Sequence, residues 1–278
     1  MQVVKFPPTQ LEDKVISNPS NIGESYAEMR YSSAHNILRS ESIYGDGFQS
    51  PGGLSGFISE LGDKIKIESG NKIIDVGSGL GGAAFYFANE FDVEIVGLDT
   101  SPIMTDIAIS RQKVRDPFQR VTFLNTDIHS ADIKEKSVDI IYSRDTLMYE
   151  KNKQSFFERC FSILRPGGLI YITDFCKNDK SKDFDNFESS SGYDLKTIAE
   201  YSEIISNSGF DCLASDDISQ STIEKLSSDL REYKNKTQKN SDLIKKQDAD
   251  HIVGRWVEKI NLLKSRCLAQ GFFIGVKS

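Results

Sequence analysis

Residues 73–85 read IIDVGSGLGGAAF: an apolar run that ends on an acid, four glycines within six residues, then a segment of helix formers. A short apolar run closed by glycine is a buried strand. Gly77, Ser78, Gly79, Leu80, Gly81 and Gly82 satisfy G-x-G-x-x-G between that strand and the helix. Without Cβ atoms such a turn lets backbone approach a ligand, and the first N–H groups of the helix point at it. This combination belongs to an open α/β sheet that binds ligands at the carboxyl ends of its strands. By itself the pattern suits a dinucleotide as well as any other nucleoside ligand.

The alternation around this turn agrees. GGLSGFISELGDKI is helical ahead of strand 73–76; AAFYFANEF, VEIVGLD and IMTDIAISRQKV follow as helix, strand and helix. VTFLNTD and VDIIYSRD are strands, KQSFFERCFSIL a helix, RPGG a turn, LIYITDF a strand, LKTIAEYSEIISNSG a helix and FDCLASDD a strand. Such alternation implies βαβ units and a parallel sheet. Residues 178–192 read as a polar loop, the stretch from Ser221 to Gly271 as helices, and FFIGVKS as a last strand.

At 278 residues the chain holds one large core, or one core with a smaller cap. Thirty-four basic against 41 acidic side chains leave a net charge of −7, which disfavours a nucleic-acid partner. The opening MQVVKFPPTQ lacks the apolar stretch of an export signal, and no run approaches the roughly 18 apolar residues of a membrane span, so a cytoplasmic protein without a membrane partner is expected, taken as a monomer. Cys160, Cys176, Cys212 and Cys267 have no CxxC spacing and read as small buried hydrophobes. His35, His129 and His251 are equally scattered, so no metal site is expected.

Acids at successive strand ends narrow the ligand. Asp75, two residues before Gly77, would face the diphosphate of NAD but can take the ammonium of an amino-acid ligand; Asp99 can take both hydroxyls of a ribose, and Asp127 an adenine amine. The plain alternative for each is a helix cap or a turn residue. A ligand with an amino acid, a ribose and an adenine but no phosphate is S-adenosylmethionine.

The run IIDVGSGLGG, with GLD, NTDI, VDIIYSRD and LRPGGLIYITDF, resembles the class I S-adenosylmethionine-dependent methyltransferases over roughly residues 50–215. Within that class it is most similar to the phosphoethanolamine methyltransferases, on YGDGFQSPGG, YSRD, ITDF and GRWVEKI. The resemblance implies a Rossmann-like seven-stranded sheet with its last strand antiparallel, and phosphocholine made by three methylations of one nitrogen. Residues 1–56 would form an N-terminal lid segment, 57–218 the cofactor-binding core, 219–270 a helical insertion and 271–278 the final strand.

The resemblance also assigns roles. Cofactor contacts fall on Asp75, Gly77, Ser78, Gly79, Asp99, Thr100, Asp127, Ile128 and Arg144. Asp145 matches the carboxylate beside the substrate nitrogen, Tyr31 a lid tyrosine, and Lys259 and Tyr193 contacts to the substrate phosphate. Tyr149 stands where the family usually has the histidine partner of the lid tyrosine. Phe175 and Phe187 replace two phosphate-binding tyrosines, and Ser191 an arginine. Each residue has a plain alternative: Tyr31 as an ordinary helix aromatic, Asp145 as a helix cap, Lys259 as a solvated charge, Tyr149, Phe175 and Phe187 as core or pocket wall.

Methyl transfer is an in-line displacement needing no metal, so the protein contributes orientation, desolvation and a neutral nucleophile. A Tyr–Tyr pair can orient but not carry a proton as Tyr–His does. Losing two hydroxyls and a guanidinium weakens an anion pocket. The resemblance, with Asp145, Tyr193 and Lys259 retained, nonetheless implies N-methylation of a small amine, phosphoethanolamine or its methylated derivatives. The alternatives are an acceptor lacking phosphate, a binding protein without catalysis and, more distantly, an NAD dehydrogenase.

Overall fold

The computed structural model describes residues 33–62, 64–178, 182–239 and 246–278; Tyr31 and most of the expected lid segment lie outside them. Seven strands form one sheet: β1 Lys72–Val76, β2 Glu94–Asp99, β3 Val121–Asn125, β4 Val138–Arg144, β5 Leu164–Lys177, β6 Asp211–Asp217 and β7 Leu268–Val276. Their order is β3-β2-β1-β4-β5-β7-β6. β1 pairs in parallel with β2 and β4, and β7 is antiparallel to both neighbours. The chain reverses direction across the sheet between β1 and β4, the switch point over which open α/β sheets bind ligands.

The helices are α1 Ala34–Tyr44, α2 Gly53–Leu61, α3 Gly82–Phe91, α4 Pro102–Arg115, α5 Lys153–Ile163, α6 Lys182–Ser191, α7 Ile198–Asn207, α8 Ser219–Lys239 and α9 Lys246–Lys264. Local chemistry starts several of them. Ser101 Oγ accepts the Met104 N–H ahead of Pro102, and Thr197 with Glu200 closes a capping box. Successive residues of a strand face opposite sides. Phe272 accordingly joins Phe57, Phe87, Tyr142 and Tyr171 on one face of the sheet, while Phe273 joins Phe156, Phe157 and Tyr201 on the other. A third cluster, including Phe175, Phe187, Tyr193 and Trp256, packs α6 and α9 against the end of β5.

Four expectations are corrected. The polar segment 178–192 contains helix α6, because Phe184 and Phe187, one turn apart, are both buried and make it amphipathic. RPGG is not a separate turn but lies inside β5, which slips register against β4 between Val138 and Ile140. The last strand begins at Leu268, three residues before the expected boundary. Cys212 and Cys267 are only half-buried.

One buried ion cluster ties the layers together. Glu60 of α2 receives Arg144 Nε at 2.8 Å and Lys225 Nζ of α8 at 2.6 Å, while Arg144 Nη2 donates to the Pro51 carbonyl at 2.7 Å. Removing the carboxylate strands two buried cations, so Glu60→Ala lowers unfolding free energy by about 3–5 kcal/mol. Urea unfolding checks this, and a loss under about 1 kcal/mol, the scale of an exposed pair, overturns it.

Candidate active site

A cavity of about 390 Å³ lies over the carboxyl ends of β1, β2 and β4. Its floor is the glycine turn. Gly77 has φ +75, and a Cβ there would meet Thr146 Oγ1 at 2.1 Å, so no side chain fits. Asp99 braces the turn: its Oδ2 accepts the Gly79 N–H at 2.9 Å and its Oδ1 the Ser101 N–H at 2.8 Å. Burial raises its carboxyl pKa against those two hydrogen bonds.

Asp75 is 2% exposed, and its Oδ2 has no hydrogen-bond partner among the described residues. Burial, with Asp99 adding repulsion, pushes its carboxyl up to about 7. Such a buried acid invites a cationic donor. Ser78, Gly79, Thr100 and Ile128 line the same end of the cavity. Asp127 lines it too, but its Oδ1 holds the His129 and Ser130 N–H groups and its Oδ2 the Ser130 hydroxyl, so its carboxylate shapes its own turn. Arg144 borders the cavity with its guanidinium committed to Glu60 and Pro51.

Asp145 follows directly on β4 in the left-handed region, φ +53, its N–H donated to the Thr173 carbonyl at 2.8 Å. For a residue other than glycine that conformation costs about 1–2 kcal/mol and is held by its surroundings. Its Oδ1 accepts Gln270 Nε2 at 2.7 Å, and the residue lines the cavity. It caps no helix: Thr146 is the N-cap of the short turn Leu147–Tyr149, and Asn152 caps α5.

Helix α9 closes the opposite end with Arg255, Trp256 and Lys259. Lys259 Nζ sits 4.2 Å from the Phe175 ring centre and 5.6 Å from that of Tyr193. The Arg255 guanidinium lies 4.7 Å over Phe187, pairs with Glu258 at 2.7 Å and donates to Ser191 Oγ. Phe175, Phe187 and Ser191 therefore do not make an apolar pocket; they carry two cations. Tyr149 lines the cavity, and Tyr193 backs it edge-to-face at 5.2 Å without reaching the lining.

Two residues here were not anticipated. Arg255 was visible in GRWVEKI as the i, i+4 neighbour of Lys259 on one helix face. Gln270 was visible as the lone polar side chain of an apolar strand, LAQGFFIGV.

The sheet order, the one strand antiparallel to its neighbours and the glycine turn between paired acids define the class I methyltransferase fold. The Methyltransferase domain family model matches residues 67–255, and the chain belongs to that family. It is 34% identical over 244 residues to phosphoethanolamine N-methyltransferase 1 of Arabidopsis thaliana, covering 87% of this chain and 49% of that protein. Phosphoethanolamine N-methyltransferase of Plasmodium falciparum is 27% identical over 86% of this chain and 90% of its own length. The solved structure of Haemonchus contortus phosphoethanolamine N-methyltransferase 2, in complex with phosphomonomethylethanolamine and S-adenosylhomocysteine, superposes with a TM-score of 0.84 at 26% identity, over 90% of this chain and 58% of that one. The chain thus spans about half the length of the plant relative.

The Asp75 carboxyl has a testable consequence for stability. An acid whose pKa is raised on folding stabilises the fold below its unfolded value, and this is lost as pH rises through the folded one. Here that window runs from about 4 to about 7. The protein alone should therefore melt at lower temperature at pH 8 than at pH 5.5, with Asp75→Asn raising the pH 8 midpoint and narrowing the difference. An Asn variant with the parent's full difference would remove Asp75 as its source.

Proposed function

We propose that this chain is an S-adenosylmethionine-dependent N-methyltransferase acting on phosphoethanolamine or its methylated derivatives, toward phosphocholine, as a cytoplasmic monomer. The observation that carries the reading is the order of charge along one cavity: Asp75 and Asp99 at one end, Asp145 between, and Lys259 with Arg255 at the other.

The acidic end fits the cofactor. The buried, unpartnered Asp75 Oδ2 suits its ammonium, Asp99 its ribose, and the open glycine turn the close approach of its backbone-facing atoms. When bound, S-adenosylmethionine supplies a methyl group on a cationic sulfur, open to displacement without a metal. The rest of the work falls to side chains of this protein. An alkylammonium titrates near the lysine range, about 10, and must lose a proton before its lone pair can react. The Asp145 carboxylate is the group in position to take or relay that proton and to hold the nitrogen in line. As methyl groups accumulate the nitrogen becomes a bulkier cation, and the aromatic walls at Tyr149, Trp256 and Phe175 suit it. Lys259 and Arg255 would take the phosphate, Arg255 restoring a guanidinium where Ser191 lacks one. That substitution weighs against an acceptor without phosphate.

Initial rates on the phosphorylated and the free amine decide the reading. Phosphoethanolamine should be preferred over ethanolamine by about 10²-fold or more, because the free amine forgoes the charge-assisted hydrogen bonds that a phosphate would accept from Lys259 and Arg255. Lys259→Ala and Arg255→Ala should each raise KM for the phosphorylated amine by about 10-fold or more while S-adenosylmethionine affinity holds. Equal parent rates on both amines would end the phosphobase reading.

A further inference from the structure

Gln270 sits in β7 with only 3% of its surface exposed, between Ala269 and Gly271. Its cross-strand partner is Phe175, the ring beneath Lys259. Residues opposite each other on paired strands share a face, so Gln270 stands on the cavity side of β7. Its backbone is clamped: the N–H donates to Ser219 Oγ at 2.9 Å and the carbonyl accepts from the Ile218 N–H at 2.8 Å. From this fixed base Nε2 donates to Asp145 Oδ1 at 2.7 Å, while Oε1 has no partner among the described residues. A buried carbonyl without a partner destabilises a fold, and a methionine of similar volume would carry no such cost. What the amide offers in return is one N–H aimed at one carboxylate oxygen.

We propose that Gln270 is a positioning residue that holds the Asp145 carboxyl group in a fixed orientation, with Oδ1 tied down and Oδ2 left for the substrate nitrogen. The assignment of that nitrogen rests on the function proposed above; the grip on the carboxylate does not. A donor to the charged form of an acid favours that form. Other charges face the same carboxylate. Arg144, on the same strand, brings a positive charge that Glu60 already shares, and Asp174 of β5 brings a carboxyl group. Across the cavity stand Asp75 of β1, Tyr149 and Glu150 after β4, and the α9 cations Lys259 and Arg255. Among these Gln270 is the neutral member in hydrogen-bond contact, so it fixes the carboxylate without adding charge that a bound aminophosphate would feel.

The test follows the Asp145 carboxyl directly. Carbon-13 carboxyl NMR of the full chain, with the resonance assigned by its loss in Asp145→Asn, gives the titration midpoint in the parent, in Gln270→Met and in Gln270→Glu. Gln270→Met should raise the midpoint by about one unit, and Gln270→Glu by more, since two carboxylates in contact share a proton. The acid limb of the kcat/KM profile should move up by the same amounts, with kcat on phosphoethanolamine down about 10-fold or more in Gln270→Met and S-adenosylmethionine affinity unchanged. An unmoved midpoint in a folded Gln270→Met or Gln270→Glu protein overturns the proposal. A midpoint that moves while Asp145→Asn turns over like the parent supports the grip on Asp145 and overturns only the function assigned to that carboxylate.

Discussion

The contact between Glu60 and Arg144 decides where Asp145 sits. Arg144 is the last residue of β4 and Asp145 the next, so whatever anchors the guanidinium also anchors the carboxylate. Glu60 anchors it from α2 and takes Lys225 from α8 on its other oxygen, and the Pro51 carbonyl holds Nη2. Three elements distant in sequence therefore meet at Arg144, which borders the cavity. A buried ion pair is a weak source of net stability, because desolvation offsets most of its attraction. Its direction is another matter: a guanidinium bound to two oxygens of fixed position leaves the chain little freedom at the next residue, and Asp145 takes the left-handed conformation there.

That anchoring gives the cavity its polarity. Asp75 and Asp99 are both destabilised as anions by burial, which makes their end of the cavity a place where a cation lowers the energy of the protein itself. At the other end Lys259 and Arg255 rest on aromatic faces, and Arg255 also pairs with Glu258. An aminophosphate carries its two charges at opposite ends of a two-carbon chain. In the proposed function, a cavity with an acid in the middle and cations at one end would distinguish it from a free amine through the phosphate alone.

How much of this was legible in the sequence depended on the range of the interaction responsible. The sheet was legible because strand and helix periodicity are local, and Asp75, Gly77 and Gly79 because a turn of this kind is written in consecutive residues. Helix α6 was missed because its polar composition outweighed two phenylalanines whose burial depends on α9. The anion pocket looked broken when Phe175, Phe187 and Ser191 were read one by one. A guanidinium reaches Ser191 from Arg255, 64 residues away, and only packing of α9 on α6 reveals it. Asp127 lines the cavity as its place after a strand suggested, and its carboxylate also holds the N–H groups of its own turn, which the sequence did not show.

The antiparallel setting of β7 explains why its neighbourhood carries so many of these groups. Ligands in parallel sheets collect at the carboxyl ends of the strands. A parallel strand contributes its last residues there, whereas one running the other way contributes its first. β7 begins at Leu268 opposite Lys177, the last residue of β5, so Gln270 enters the sheet beside Phe175 and within reach of Asp145. The helix that leads into it, α9, ends at Lys264 and must therefore also lie at the cavity end of the sheet. Arg255, Lys259 and Gln270 fall within sixteen residues for this reason. Reversing a single strand brings both the cations and the residue that grips Asp145 to the same edge, with no added loop to carry them.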